Sequence, residues 1–137
     1  MSLVLDTSVA LAWVMRDERS DAVEKAFDQV IEDGAWVPSL WRLEIANVLE
    51  MSVRRGRIDT GFRDATLADL ELLPITTDPD TEKYAWQSTL RLAERHRLTV
   101  YDAAYLELAM RRGLPLASLD RELRAAAAAE NVALLGE

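Results

Sequence analysis

Four carboxylates stand where apolar stretches give way to helical ones. Asp6 follows Leu3-Val4-Leu5 and precedes Thr7-Ser8-Val9; Asp120 follows LPLASL and precedes RELRAAAAA. Asp102 opens YDAAYLELA, and Glu44 lies about a turn inside SLWRLEIANVLEMSV. Carboxylates brought together repel and raise one another's pKa unless a cation intervenes. The chain has no cysteine and a single histidine, so any ligand set built on these four is all oxygen. Oxygen donors select Mg²⁺ or Mn²⁺ over zinc. Such a site activates water and stabilises the leaving oxygen of a phosphodiester.

A plainer role competes for three of the four. Asp6 and Asp120 occupy N-cap positions, and Thr99-x-x-Asp102 has the form of a capping box with Asp in place of Glu. Capping has no use for Glu44. It shares a helical stripe with Leu40 and Val48, flanked by Trp41, Ile45 and Leu49, with no Lys or Arg three or four residues away. A carboxylate in that setting is costly unless something pairs with it.

The elements that must position these groups alternate. Short apolar runs at 3–5, 35–37, 75–76, 116–117 and 132–135 read as strands. Stretches at 8–15, 19–33, 39–55, 59–72, 81–95, 101–112 and 121–130 read as helices. Gly34, Gly56 and Gly113 fall just past helices, where a left-handed residue is needed. The alternation predicts one α/β domain over residues 1–137, a parallel sheet of four to five short strands flanked by helices. In such sheets ligands bind beyond the carboxyl ends of the strands, where all four carboxylates should gather. Arg54-Arg55 and Arg111-Arg112 close helices at the opposite end, and read as solvated complements to the helix dipole.

Composition narrows the classes. With 24 acidic and 16 basic residues the net charge is −8, which argues against a broad basic surface for nucleic acid. A polyanionic substrate would need metal ions or a local basic patch. Asp6 breaks the N-terminal apolar run, no basic region precedes it, and no run approaches the roughly 20 residues that span a bilayer. The expectation is a soluble, cytoplasmic protein with no membrane contact.

LVLDTSVALAW, PSLWRLEIANVLE, TVYDAAYLELA and LPLASLD, in that order, resemble the PIN-domain ribonucleases, and among them the VapC-type toxins of bacterial toxin–antitoxin pairs. The resemblance implies an Mg²⁺- or Mn²⁺-dependent endoribonuclease, homodimeric and held inactive by a cognate antitoxin. It makes Asp6, Glu44, Asp102 and Asp120 the catalytic, metal-binding quartet, with Ser8 and Ser118 as supporting hydroxyls; the second is usually threonine in the family. Asn47 matches an E-x-x-N pattern and is a candidate to orient Glu44. It is equally readable as a polar group on a helix face. The alternatives are a PIN-fold module that only binds RNA or a partner, or a PIN nuclease in RNA processing outside any toxin–antitoxin pair.

The remaining candidates read as structural. His96 sits at a helix end as a solvated cation, and Trp13, Trp36, Trp41 and Trp86 read as mainly core, with some left for a dimer or antitoxin surface. Arg16, Arg19 and Arg42 are weak candidates for RNA phosphates. Spacing excludes a haloacid-dehalogenase-type phosphatase, which wants an aspartate where Ser8 stands. It also excludes a response-regulator receiver, which wants a lysine near the end; none follows Lys83. Which RNA would be cut is open.

Overall fold

A computed structural model describes residues 1–137. Five strands, β1 (Leu3–Leu5), β2 (Ala35–Val37), β3 (Ile75–Thr77), β4 (Leu116–Ala117) and β5 (Leu134–Leu135), form one sheet in the order β3-β2-β1-β4-β5. Every neighbouring pair is parallel. The helices are α1 (Thr7–Val14), α2 (Asp21–Asp33), α3 (Trp41–Arg54), α4 (Thr60–Glu71), α5 (Thr81–Tyr84), α6 (Leu90–His96), α7 (Val100–Arg112) and α8 (Arg121–Ala129). Right-handed crossovers put α1 to α4 on one face and α5 to α8 on the other. The helices contact their neighbours accordingly.

The central strand is sealed on both sides: Leu3, Val4 and Leu5 are wholly buried. That matches its unbroken apolar run. The chain steps from β1 outward to β2 and β3, then returns to lay β4 on the other side of β1. This reversal makes the carboxyl ends of β1 and β4 the topological switch point, where a crevice opens. Asp6 leaves β1 there, and its backbone N–H donates to Ala117 O on β4 at 3.0 Å.

Three expectations need correction. The stretch 81–95 is not one helix. Between α5 and α6 the helical path kinks at Gln87, which leaves helical geometry at φ −119°, ψ −106°. Tyr84, just before the kink, lies beneath the Arg111 guanidinium, and Trp86 is 91% exposed. Trp86 is thus a tryptophan left at the surface, while Trp41 is core. Strand β5 is shorter than 132–135, because the Val132 N–H closes the end of α8 on Ala127 O.

The third correction concerns the arginine pairs. Arg54 behaves as expected, pairing with Glu50 in solvent. Arg111 and Arg112 do not. Arg111 donates to both oxygens of Asp78, at 3.1 and 2.6 Å, and to both oxygens of Glu107, at 3.0 and 2.8 Å. Arg112 adds a 3.3 Å bond to Asp78 and lies 3.5 Å over the Trp36 ring. Asp78 and Glu107 are both buried. Burial pushes the Asp78 carboxyl up, but the bonds from Arg111 and Thr81 and the Arg111 charge outweigh it and hold it below the ordinary value. This network staples the end of β3 to the C-terminus of α7. His96 is likewise engaged, its Nε2 2.8 Å from Glu130 Oε2, tying α6 to the end of α8.

Candidate active site

Asp6 occupies the N-cap position of α1, yet its side chain makes no capping bond. Its Oδ2 accepts from Ser8 Oγ at 2.6 Å and from Ser118 Oγ at 2.9 Å. Each serine is itself fixed by backbone: Ser8 Oγ accepts from Leu119 N–H at 2.9 Å, and Ser118 Oγ from Asp120 N–H at 3.0 Å. The two hydroxyls thus stitch the β1 and β4 ends together around one carboxylate oxygen. Oδ1 accepts no protein hydrogen bond.

Asp120 does cap α8, its Oδ1 accepting from Leu123 N–H at 2.9 Å, which leaves Oδ2 free. At α7 the cap is Thr99, whose Oγ1 accepts from Asp102 N–H at 3.1 Å. No reciprocal bond from the Asp102 carboxylate completes a capping box, so that group is uncommitted.

Glu44, in the first turn of α3, reaches across the top of the sheet to α7. Its Oε1 accepts from Thr7 Oγ1 at 3.1 Å and from the Tyr105 hydroxyl. Thr7 Oγ1 and Tyr105 Oη lie 2.9 Å apart. Asn47, three residues on, is exposed and makes no side-chain bond to Glu44. Thr7 and Tyr105 went unmarked in the sequence, although one signal was present. Tyr105 stands three residues after Asp102, on the same face of α7.

The carboxylates feel one another. Burial raises the Asp6 pKa first; the Ser8 and Ser118 bonds oppose that, and the charges of Glu44 and Asp120 add to it. Glu44 is raised by burial, against the bonds from Tyr105 and Thr7, with Asp102 adding repulsion. Asp102 is raised by burial and then by the charges of Asp6 and Asp120. Burial and the Glu44 charge push the Tyr105 hydroxyl far above its ordinary value, so it is a donor and not a base.

No three of these side chains close tightly enough on one point to form a ready-made metal cage. The donor set nevertheless suits a small hard cation: four carboxylates, with free oxygens on Asp6, Glu44, Asp102 and Asp120, and no positive side chain bonded to any of them. Of the arginines near the rim, Arg19 is held by Trp13 O, the Trp13 ring and Glu24, and Arg42 by Glu71. Arg16 alone of the three forms no ion pair. An apolar cavity of about 200 Å³ between α3, α4 and β3 contains none of the carboxylates. Within the quartet Asp6 is buried, Glu44 and Asp102 are half-buried, and Asp120 is exposed.

The PIN domain family model matches residues 3–129. Over 127 residues the chain is 35% identical to ribonuclease VapC3 of Pyrobaculum aerophilum, spanning 90% of this chain and 92% of that protein. Its backbone is similar to the crystal structure of VapBC2 from Rickettsia felis bound to a promoter DNA fragment, with a TM-score of 0.64 at 13% identity over 98% of this chain and 97% of that one. It is equally similar to FitAcB from Neisseria gonorrhoeae, with a TM-score of 0.65 at 18% identity over 98% and 96%. Those two are likenesses of fold alone. No helix is long and apolar enough to cross a membrane. With nearly its whole length matched by the family and a close relative in register along it, the chain belongs to the PIN domain family, beside the VapC-type ribonucleases.

Proposed function

We propose that the protein is a divalent-metal-dependent endoribonuclease, the toxin of a type II toxin–antitoxin pair, with Asp6, Glu44, Asp102 and Asp120 as its metal-holding catalytic residues. The observation that carries the reading is the electrostatically coupled quartet at the β1/β4 switch point. The ribonuclease relative and the VapBC2 and FitAcB structures support it.

Asp6 through Oδ1, Glu44 through Oε2, and Asp102 and Asp120 through their free oxygens would hold Mg²⁺ or Mn²⁺. When bound, the ion lowers the pKa of water and offsets the charge on the phosphodiester. Ser8 and Ser118 keep Asp6 aimed at the crevice, and Thr99 and Leu123 anchor the α7 and α8 starts that carry Asp102 and Asp120. Hydrolysis forms a P–O bond to the water oxygen and breaks the one to the leaving oxygen. A module that only binds RNA has no use for four mutually repelling carboxylates.

Purified protein on total RNA is expected to cleave with Mg²⁺ or Mn²⁺ and to stop in excess EDTA; undiminished cutting under chelation would end the proposal. The antitoxin would be a protein whose basic residues approach the acidic rim. We further propose a homodimer, to be read by light scattering at micromolar concentration, where a monomer mass would refute it.

A further inference from the structure

Two hydroxyls that the nuclease reading leaves without a role converge on one oxygen of Glu44. Tyr105 is the largest fully buried side chain, and Thr7 is also buried. Both donate to Oε1, and they lie 2.9 Å from each other. A carboxylate oxygen offers about two lone-pair directions, and here both are taken. Glu44 is half-buried and has no cation against it. The other deeply placed carboxylate repeats the device: Asp6 Oδ2 takes the hydroxyls of Ser8 and Ser118, while Oδ1 stays open.

We infer that Thr7 and Tyr105 are positioning residues that occupy Oε1 of Glu44, so that Glu44 meets a divalent ion through Oε2 alone and the site discriminates against large cations. The inference rests on the metal-dependent reading above. Ca²⁺ takes six to eight oxygens and accepts a carboxylate through both of its own, whereas Mg²⁺ demands a tight octahedron of single oxygens. A Glu44 with a blocked oxygen fits the second pattern and not the first. Thr7 leaves β1 at the switch point and Tyr105 sits a turn into α7, so the two hydroxyls also fix the gap between the helical layers that Glu44 bridges.

The test is a binding measurement that needs no RNA. Titration calorimetry of the metal-free protein with Mn²⁺ and separately with Ca²⁺ gives an affinity ratio. Wild type is expected to favour Mn²⁺. Tyr105→Phe and Thr7→Val free a lone pair on Oε1, and the ratio should fall by about tenfold, at the lower end of what outer-shell partners contribute to metal affinity. Thr7→Ser keeps the hydroxyl and should keep the ratio. General loosening would weaken both ions together and leave the ratio in place, which would overturn the inference, as would an unchanged ratio in both hydroxyl deletions. If Tyr105→Phe does not fold, the Thr7→Val and Thr7→Ser pair decides on the same ratio. A wild type that binds no Mn²⁺ at millimolar concentration defeats the metal reading itself, an outcome distinct from a wild type that binds and variants that bind identically.

Discussion

Asp6→Asn is expected to abolish RNA cleavage while leaving the metal-free protein at least as stable at neutral pH. The two halves come from one cause. Asp6, Glu44 and Asp102 all titrate above their ordinary values of 3.8, 4.5 and 3.8 in the folded protein, with burial the leading reason and mutual repulsion adding to it. A raised carboxylate means the folded state holds protons that the unfolded chain releases. Stability therefore falls as pH rises from the ordinary value through the raised one. The penalty grows as pH rises towards neutrality, and bound metal offsets it by RT ln(1 + [L]/Kd), about 2.7 kcal/mol at a hundredfold excess.

Asn removes the charge, can still accept from Ser8 and Ser118 through its carbonyl oxygen, and costs no cap, since Asp6 makes none. Its melting temperature in EDTA should match or exceed wild type at pH 7, and the advantage should vanish below about pH 4, where the wild-type carboxylate is protonated too. Activity should fall by about a thousandfold or more, because a charge contact to the ion acts where several kcal/mol of transition-state stabilisation are supplied. A variant that melts well below wild type in EDTA, or cleaves RNA at the wild-type rate, would make Asp6 a structural group.

Arg111→Ala is expected to destabilise the fold by about 3–5 kcal/mol in urea denaturation, the range for removing one partner of a buried ion pair. Asp78 is 1% and Glu107 5% exposed, and each loses two charge-assisted bonds when the guanidinium goes. Set against a total stability of about 5–15 kcal/mol, that is a large fraction. Arg54→Ala is the control. Its pair with Glu50 is exposed, so the loss should be about 0.3–0.5 kcal/mol. Equal effects from the two substitutions would refute the staple. Asp78, held below its ordinary value, adds stability present above pH 3.8 that is lost as pH falls through its folded pKa, so acid should strip the wild-type advantage over the Arg111 variant.

The sequence by itself determined the order and type of nearly every element, because a parallel sheet buried on both faces writes its strands as bare apolar runs and helices announce their ends. Leu3–Leu5, Ala35–Val37 and Leu116–Ala117 stand where the runs place them. It also placed four carboxylates at strand ends and helix starts, since that junction is local. Glu44 stood out because no local rule accounts for a carboxylate on an apolar stripe.

Tertiary structure alone decided what each junction residue is bonded to. Asp6 and Asp120 look alike as N-caps in sequence, yet only Asp120 caps; the partners that claim Asp6 Oδ2 include Ser118, which is 112 residues away. On its own helix the sequence offers Glu44 only Asn47 as a candidate partner, equally readable as a helix-face polar group; the structure holds Glu44 by Thr7 and by Tyr105, 61 residues distant. The two arginine pairs are the same dipeptide at the same kind of helix end. One lies in solvent and the other carries a buried network, because only the return of β3 brings Asp78 to Arg111. The kink at Gln87 has no signal in AWQST, which contains no Pro or Gly to mark a break. Local chemistry chooses which residues can cap, pair or ligate; long-range contact chooses among those options, and spacing along the chain carries no record of that choice.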